Sequence, residues 1–207
     1  MKRLAVLGAS GHGKVVADAA EASGWQSVVF YDDAWPELQV NGPWGVRGDT
    51  ETLLGQLSEF DGVVVGIGNN ALRADKQQLL FSASAGIVSI VHPAAVVSAH
   101  ARIQPGAVVF ANAVVNAGAE VGAGCIINTG SVVEHDCILG DFAHISPNAV
   151  LAGGVIVECQ AWVGACASVR QLLRVGKAAM VGMGAVVTKD VSASAVVVGN
   201  PAKVVNS

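Results

Sequence analysis

The fold is decided by the stretch from Ala95 to Asp190, which divides into sixteen consecutive groups of six residues with none inserted or dropped. The groups read AVVSAH, ARIQPG, AVVFAN, AVVNAG, AEVGAG, CIINTG, SVVEHD, CILGDF, AHISPN, AVLAGG, VIVECQ, AWVGAC, ASVRQL, LRVGKA, AMVGMG and AVVTKD. The third residue of every group is aliphatic. The first residue is Ala, Ser or Cys everywhere except at Val155 and Leu173.

A period of six matches neither an α-helix nor a long alternating strand, and it is typical of a parallel β-helix. Each group then forms one short strand and one turn, and three groups form a triangular coil of eighteen residues. We expect the third-place side chains to stack inside, where each buried Val or Ile contributes about 1.5–3 kcal/mol. We expect the small first-place residues at tight corners. The repeat alone does not determine the handedness of the coil.

Length and composition indicate two domains. The repeat starts near residue 95 of a 207-residue chain, so we expect one domain over residues 1–92 and a β-helix with a C-terminal tail over residues 93–207. The 25 glycines and the low charged fraction of 14% are typical of a β-helix. A net charge of −4 gives no reason to expect a nucleic-acid partner.

The sequence also predicts the cellular compartment of the protein and the state of its four cysteines. Polar residues interrupt the apolar runs of the repeat, so no membrane span is predicted, and His12 and Lys14 follow the first apolar run where a signal peptide would stay apolar. We therefore expect a cytoplasmic protein. The four cysteines form no CxxC pair, which favours reduced packing residues over disulfides or metal ligands.

The N-terminal segment reads as strand, glycine loop and helix. An apolar run at residues 2–7 leads into GASGHGK at residues 8–14, and a helical pattern follows. Backbone amides at such a helix start attract phosphate, and glycine permits close approach. A nucleotide-binding P-loop is excluded because Val15 stands where Ser or Thr should hold magnesium.

Three interpretations of this loop remain. A dinucleotide site would use Asp32 or Asp33 after the second strand, but the glycine spacing is GxxGxG and the domain has room for only half of such a fold. A nucleoside diphosphate bound in a half-size Rossmann-like domain agrees with both the glycine spacing and the size of the domain. A glycine turn without ligand is the third interpretation, and the paired acids favour binding over it.

The remaining elements of this domain are predicted more coarsely. The interpretation is a loop at residues 35–48, helices at 50–57 and 73–85, and strands at 62–66 and 87–91. Gly68 follows a buried strand at the edge where α/β folds bind ligands, so it is a candidate ligand contact. Arg73 is either a phosphate partner or a solvated side chain.

Within the repeat, His135 is the main candidate for chemistry. The residues eighteen before and after it are Ala117 and Gly153, which leave the imidazole room. Imidazole is a natural general base near neutral pH, and the adjacent carboxylate of Asp136 would orient it and raise its basicity. A surface histidine beside an aspartate without function is the simpler alternative.

His144 makes an active site more plausible. It follows His135 by nine residues, half a coil, so the two side chains point in nearly opposite directions within one chain. Asn128 precedes His144 by sixteen residues and should share its face. If β-helices pack as a closed trimer, His135 of one copy can face Asn128 and His144 of the next.

A zinc site is the competing use of these histidines, since some hexapeptide β-helices are carbonic anhydrases. It needs three converging imidazoles. His100 lies almost two coils before His135 and shares no layer with the other two, so no metal is expected.

The whole chain resembles the hexapeptide acyltransferases, and more narrowly the PglD/NeuD-like sugar acetyltransferases. The resemblance rests on GASGHGK (8–14), YDD (31–33), GIGNN (66–70), INTGSVVEHDC (127–137), FAHIS (142–146), VVTKDV (186–191) and VVGNPAK (197–203). It implies a left-handed β-helix trimer that transfers acetyl from acetyl-CoA to the amine of a UDP-linked 4-amino sugar in bacterial glycan synthesis.

The resemblance also implies roles for single residues. His135 would be the base, Asp136 would strengthen it and Asn128 would help to place the amine. The acetyl-CoA groove would be lined by His144, Gly153, Ala165 and Met183, with the Gly153 amide facing the oxyanion. The nucleotide sugar would be held by Ser10, Gly11, His12, Asp32, Asp33 and Gly68.

The chain departs from the family pattern at residues 170–173, where RQLL replaces a common Pro-Gly turn. The resemblance therefore does not predict the structure of the floor of the acetyl-CoA groove. Two other functions remain possible from the sequence. One is O-acetylation of sialic acid or another sugar, because the repeat does not distinguish amine from hydroxyl acceptors. The other is a nonenzymatic scaffold, which would not need the cluster at 134–136.

Overall fold

The computed structural model describes residues 2–205, and the chain forms two compact units that divide between His92 and Pro93. In the first unit, the strands are β1 (Arg3–Leu7), β2 (Ser27–Tyr31), β3 (Val40–Asn41), β4 (Trp44–Gly48), β5 (Gly62–Val65) and β6 (Ile90–Val91). The helices are α1 (Gly11–Ala22), α2 (Thr50–Gly55) and α3 (Asn70–Ser82), with a 3-10 turn at Leu57–Glu59.

The first unit is a half-size Rossmann-like α/β domain. Its sheet has the order β3-β4-β2-β1-β5, with parallel pairing of β1 to β2 and β5 and of β2 to β4. Strands β1 and β5 are almost fully buried, as is typical of parallel sheets whose faces are covered by helices. The carboxyl ends of β1, β2 and β5 therefore lie side by side, and each is followed by a predicted site residue.

Two predicted elements of this unit were wrong. Residues 35–48 are not a loop, because Trp44–Gly48 forms a parallel strand beside β2 with alternating buried and exposed side chains. Two glycines in five residues concealed that alternation. The last strand is also shorter than predicted: it covers Ile90–Val91, and Ile87 makes only an isolated bridge to Val63.

In the second unit, each group of six residues contributes one two-residue strand, at its second and third places. The strands are β7 (Val96–Val97), β8 (Arg102–Ile103), β9 (Val108–Val109), β10 (Val114–Val115), β11 (Glu120–Val121), β12 (Ile126–Ile127), β13 (Val132–Val133), β14 (Ile138–Leu139), β15 (His144–Ile145), β16 (Val150–Leu151), β17 (Ile156–Val157), β18 (Trp162–Val163), β19 (Ser168–Val169), β20 (Arg174–Val175), β21 (Met180–Val181) and β22 (Val186–Val187). The tail adds β23 (Val196–Val198) and β24 (Lys203–Val204).

These strands form the three parallel faces of a β-helix. Each strand pairs with the strand three positions later, whose residues are eighteen further along the chain. One face, for example, consists of β7-β10-β13-β16-β19-β22. The third-place residues from Val109 to Val187 are at most 2% exposed and form the internal core. The six-residue period therefore predicted both the strands and the core of this unit.

The corners differ from the expectation in one respect. The small first-place residues are buried inside the corners, and the tight left-handed turn falls at the sixth place instead. The sixth residues from Gly106 to Gly184 all have positive φ, including Asp136 and Leu172. The sixth place therefore carries the backbone conformation that favours glycine.

Candidate functional site

His135 lies in an exposed turn between β13 and β14. We call the turns at residues 134–137, 152–155 and 170–173, stacked one coil apart, the His135 corner. The Nδ1 atom of His135 lies 2.8 Å from Oδ2 of Asp136, and both side chains are open to solvent, with 65% and 74% exposure. The hydrogen bond leaves Nε2 of His135 directed away from its carboxylate partner.

The backbone of Asp136 places its carboxylate beside the ring. Asp136 has a φ of 59°, a conformation that Asp and Asn adopt more readily than other side chains. One coil earlier, a methyl group at Gly118 would lie 2.5 Å from Oδ1 of Asp136. Glycine at position 118 therefore leaves the space in which the carboxylate sits.

The His135 ring is more basic than a free imidazole. The hydrogen bond that Nδ1 of His135 donates to Asp136 raises the pKa of His135. Desolvation lowers that pKa, and the negative charges of Asp136 and Glu134 raise it further. Glu134 is held in place because its Oε2 accepts hydrogen bonds from Nδ2 of Asn116 at 2.9 Å and from the His135 amide at 3.3 Å. Sequence reasoning gave Asn116 no role, although its offset of eighteen residues from Glu134 is the signal that could have found it.

The His135 ring rests on Gly153. A methyl group at Gly153 would lie 2.5 Å from Nε2 and 2.6 Å from Cε1 of His135. The chain one coil later is therefore in contact with the ring through its backbone. Any larger residue at 153 would displace the imidazole.

Asn128 and His144 lie together on another part of the β-helix. Nδ2 of Asn128 is 3.2 Å from Nε2 of His144, and the His144 ring stacks on Trp162 with centroids 5.5 Å apart and an interplanar angle of 3°. Nε1 of Trp162 donates to Oγ of Ser146 at 2.6 Å. His144 is therefore a buried, stacked ring, and Trp162 is a neighbour that sequence reasoning missed.

The two histidines are not brought together in one chain. His144 is on the β12-β15-β18-β21 sheet, whereas His135 is at the corner between the other two sheets. Of the predicted groove residues, Gly153 lies at the His135 corner. Ala165 and Met183 lie at the corner that follows β18 and β21, on which Asn128 also lies. Met183 is 77% exposed there.

The first unit contains a separate pocket of about 250 Å³ at the carboxyl ends of its strands. The residues that line it are Leu7, Gly8, Ser10, Asp32, Asp33, Ile67, Leu72 and Lys76. Three predicted substrate residues, Ser10, Asp32 and Asp33, are therefore in one cavity. Gly11 and His12 start helix α1 next to it, and a methyl group at Gly68 would lie 3.8 Å from Cβ of His12.

The two aspartates of this pocket are engaged differently. Asp32 accepts backbone hydrogen bonds from Ala9 at 2.6 Å and Ala34 at 2.9 Å, so it holds the glycine loop against β2. Asp33 accepts from Thr50 and from Nζ of Lys76. Partial burial raises the pKa of Asp33, but the hydrogen bonds from Lys76 and Thr50 outweigh it and leave that pKa below its usual value. Lys76 is a cation that no sequence motif indicated.

Arg73 corrects a further expectation, because it is neither solvated nor free for a phosphate. It is 1% exposed, and its Nη1 donates to the carbonyl oxygens of Ile67 and Gly68 at 3.0 and 2.9 Å. Burial, followed by the charge of Arg73, lowers the pKa of His12 to about 4, so this imidazole is neutral at physiological pH. Arg73 thus shapes the loop after β5 from inside.

The cysteines divide into two pairs. Cys125 and Cys137 are buried and donate to carbonyl oxygens one coil away, as packing residues should. Cys159 and Cys166 are exposed, so the expectation of a packing role was wrong for them. Within residues 2–205 no three His, Cys, Asp or Glu side chains group as metal ligands would, and no helix there is long and apolar enough to cross a membrane.

Comparison with known proteins places the chain in a family. Residues 3–80 match the model of the PglD N-terminal domain, and residues 118–153 match the bacterial transferase hexapeptide model of six repeats. The acetyltransferase domain of PglB from Neisseria gonorrhoeae, solved in complex with acetyl coenzyme A, is 40% identical, with a TM-score of 0.94 and coverage of 99% of each chain. The chain belongs to the PglD-like sugar acetyltransferases of the hexapeptide family. Its second unit is accordingly the left-handed β-helix of that family.

The chain is also similar to proteins of three other bacteria. Perosamine N-acetyltransferase from Caulobacter crescentus, solved with CoA and GDP-perosamine, is 35% identical with a TM-score of 0.94, covering 100% of this chain and 98% of that one. WeeI from Acinetobacter baumannii is 28% identical with a TM-score of 0.87. A tetrahydropyridine-dicarboxylate N-acetyltransferase of Staphylococcus aureus is 46% identical over 74 residues, and that match spans only 31% of its length.

Proposed function

We propose that this chain transfers acetyl from acetyl-CoA to the amine of a nucleotide-linked 4-amino-4,6-dideoxy sugar, with His135 as general base. The observation that carries the proposal is the exposed His135–Asp136 pair, whose free Nε2 atom lies over the backbone of Gly153. A scaffold has no use for a solvent-facing imidazole whose pKa is raised by a positioned carboxylate. The family membership and the acetyl-CoA complex of the PglB domain support the same chemistry.

The reaction needs no covalent enzyme intermediate. The sugar amine attacks the thioester carbonyl carbon while Nε2 of His135 takes a proton from the amine nitrogen. The Gly153 amide is our candidate donor to the oxyanion. When the C–S bond breaks, the imidazolium returns the proton to the CoA thiolate, so the products are an amide and free CoA.

The acceptor is proposed to bind through its nucleotide in the first unit. The pocket at Ser10, Asp32 and Asp33 adjoins the start of helix α1, whose backbone amides suit a diphosphate. We propose UDP as the nucleotide. Because the Caulobacter relative was solved with GDP-perosamine, the guanosine analogue is the comparison that tests this choice.

We further propose that the active site is shared between copies of a cytoplasmic homotrimer. His135 lies far from Asn128 and His144 around the coil, so a single chain cannot present all three to one substrate. In a closed trimer, His135 of one copy would face Asn128, His144, Ala165 and Met183 of the next. In that arrangement the predicted site residues of the β-helix would all lie at one site.

Replacement of His135 by alanine tests the base directly. We expect His135→Ala to lower kcat about 10²–10⁴-fold, because proton removal from the amine then falls to water. Release of the CoA thiol is measured with acetyl-CoA and a UDP-4-amino sugar, and the GDP analogue and a sugar with a hydroxyl at C4 are run in parallel.

His100→Ala is the matched control, since His100 is another exposed histidine of the β-helix. Its activity should equal that of the wild type. Full activity in His135→Ala would remove the base assignment. If the sugar with a hydroxyl at C4 were acetylated faster than the 4-amino sugar, the proposed activity would be O-acetylation and not N-acetylation.

A further inference from the structure

Four side chains on the β12-β15-β18-β21 sheet and its adjoining turns form one connected cluster. They are Asn128, His144, Ser146 and Trp162, and we call them the His144 cluster. Nε1 of Trp162 donates to Oγ of Ser146 at 2.6 Å, and the indole stacks on the His144 ring. Nε2 of His144 in turn lies 3.2 Å from Nδ2 of Asn128. The cluster therefore joins Trp162 to a predicted site residue through a single imidazole.

The Asn128 amide has a defined orientation in this cluster. The backbone N–H of Thr129 can only donate a hydrogen bond, and it lies 2.8 Å from Oδ1 of Asn128. The NH2 group of the same amide therefore faces His144, and an NH2 group offers only hydrogens. Nε2 of His144 must then accept this hydrogen bond, so the neutral ring carries its hydrogen on Nδ1.

This tautomer makes His144 unsuitable as a general base. The lone pair of Nε2 accepts from Asn128, and Nδ1 carries the ring hydrogen and is buried. His144 instead fixes the plane of the Asn128 amide. Because an amide NH2 group has two hydrogens, the second one remains for a ligand of the half-buried Asn128 side chain.

Trp162 determines the plane of the His144 ring. The two residues lie opposite each other on the paired strands β15 and β18, which are about 4.8 Å apart. Their ring centroids are 5.5 Å apart with an interplanar angle of 3°, and His144 is only 8% exposed. The indole is fixed at its edge by Ser146, which is 4% exposed. A tilt of the imidazole away from Asn128 would therefore drive it into the indole.

We infer that Trp162 is a positioning residue that acts on the reaction through His144 and Asn128. Held by Ser146, the indole keeps the imidazole in the plane in which Nε2 meets the Asn128 amide, and the amide then presents its second N–H to the substrate. The inference rests on the proposed acetyl transfer, and it adds Trp162 and Ser146 to the residues on which that reaction depends. A donor aligned for the transition state raises kcat, so loss of the alignment should lower kcat and leave KM unchanged.

The kinetic test is a double-mutant cycle between Trp162 and Asn128. We expect Trp162→Leu to lower kcat about 10–100-fold, because the donor is displaced, without a change in KM for acetyl-CoA. Trp162→Phe keeps an aromatic ring on His144 and should retain most of the activity. In an Asn128→Ala background, Trp162→Leu should cause no further loss, because the group that it positions is already absent.

Ile138→Ala is the matched control, because Ile138 is also an outward second-place side chain of the repeat. It lies on another sheet and is 45% exposed, compared with 42% for Trp162. Its kcat should equal that of the wild type. A loss from Trp162→Leu that is as large in the Asn128→Ala background as in the wild type would overturn the inference, since Trp162 would then act without Asn128.

The tautomer of His144 supplies a readout that needs no turnover. Long-range proton–nitrogen NMR spectra should show His144 protonated on Nδ1 in the wild type, and a mixture of both tautomers in Asn128→Ala and Trp162→Leu. Circular dichroism checks that each variant is folded. If Trp162→Leu does not fold, Ser146→Ala, which removes the anchor of the indole and keeps every ring, takes its place.

The outcomes separate this inference from the proposed function. A wild-type His144 ring protonated on Nε2 overturns the inference whatever the activity. Wild-type protein that shows the Nδ1–H tautomer, and loses it in Trp162→Leu, but does not acetylate the sugar supports the alignment within the His144 cluster and overturns the proposed function. Full activity in Trp162→Leu overturns the positioning role and leaves the proposed function intact.

Discussion

The pair of His135 and Asp136 shows how one backbone dihedral angle can organise a catalytic group. Asp136 occupies a left-handed position of the coil, and this directs its carboxylate to Nδ1 of the preceding residue at 2.8 Å. The same position accepts asparagine with little backbone strain. The charge of the carboxylate can therefore be removed while its geometry is retained.

Asp136→Asn should change the pH dependence of the reaction. The base acts when neutral, so the rate falls as pH drops through the pKa of His135. The hydrogen bond that His135 donates to Asp136 raises that pKa. Without the carboxylate charge, the acid limb of the kcat profile should move to lower pH, and kcat on the plateau should fall about tenfold because the base is weaker.

The measurement is kcat between pH 5 and 9 with saturating substrates. Glu120→Gln serves as control, because Glu120 is an exposed carboxylate of the same β-helix whose Oε1 lies 2.9 Å from Nη1 of Arg102. Its profile should match the wild type. An acid limb in Asp136→Asn that stays in place or moves to higher pH contradicts the assignment of His135 as base.

At the scale of the element, each coil is stabilised by its internal aliphatic column and strained at its sixth places. Glycine at such a place relieves the strain, whereas an L-residue other than Asn or Asp costs about 1–2 kcal/mol. Gly184 has a φ of +66°, and no atom lies within 4 Å of where its Cβ would be. A side chain there meets backbone strain without a steric clash.

The free energy of unfolding should depend on whether the residue at a sixth place tolerates a positive φ. We expect Gly184→Ala to destabilise the fold by about 1–2 kcal/mol. Ala178, with a φ of 54°, should show the reverse, and Ala178→Gly should be neutral or stabilising by up to about 1 kcal/mol. The midpoint of urea unfolding, followed by circular dichroism, measures both.

Ala99→Gly is the comparison for these variants, since Ala99 is exposed and its φ is not positive. There the added chain entropy of the unfolded state should cost about 0.4–1 kcal/mol. If Ala178→Gly lowered the free energy of unfolding as much as Ala99→Gly, left-handed backbone strain at the sixth place would not reduce the stability of the coil.

At the scale of the whole molecule, the proposed site requires two copies of the chain. His135 belongs to one corner and Met183 to another, so variants of the two should complement each other. We expect His135→Ala and Met183→Glu each to be nearly inactive alone. Co-refolded at equal amounts they should regain about a quarter of wild-type activity, the share of intact sites in random trimers.

Sedimentation and activity of the mixture are measured together, with each variant refolded alone as the control. A mixture that forms mixed trimers but stays inactive would contradict a site that combines His135 of one copy with Met183 of the next. A fully active wild-type monomer would contradict the shared site altogether.

Most of the β-helix was predictable, because each of its strands is specified within six residues. The strands β7–β22 and the buried column follow directly from the aliphatic third places. The errors occurred where local patterns are ambiguous. Strand β4 was read as a loop because its two glycines hid the alternation, and Arg73 was placed at the surface although it is buried under the loop that it supports.

The coil, the division near residue 92 and the choice of His135 as a candidate could be predicted from the sequence, because they depend on a short periodicity and on neighbouring residues. Only the tertiary structure decided which side chains meet across coils: Glu134 with Asn116, His144 with Trp162, and the His135 ring with Gly153. It also showed that Nη1 of Arg174 donates to Oε1 of Glu158 at 2.6 Å. Such contacts depend on side-chain conformation between strands about 4.8 Å apart, and a six-residue repeat leaves that conformation open.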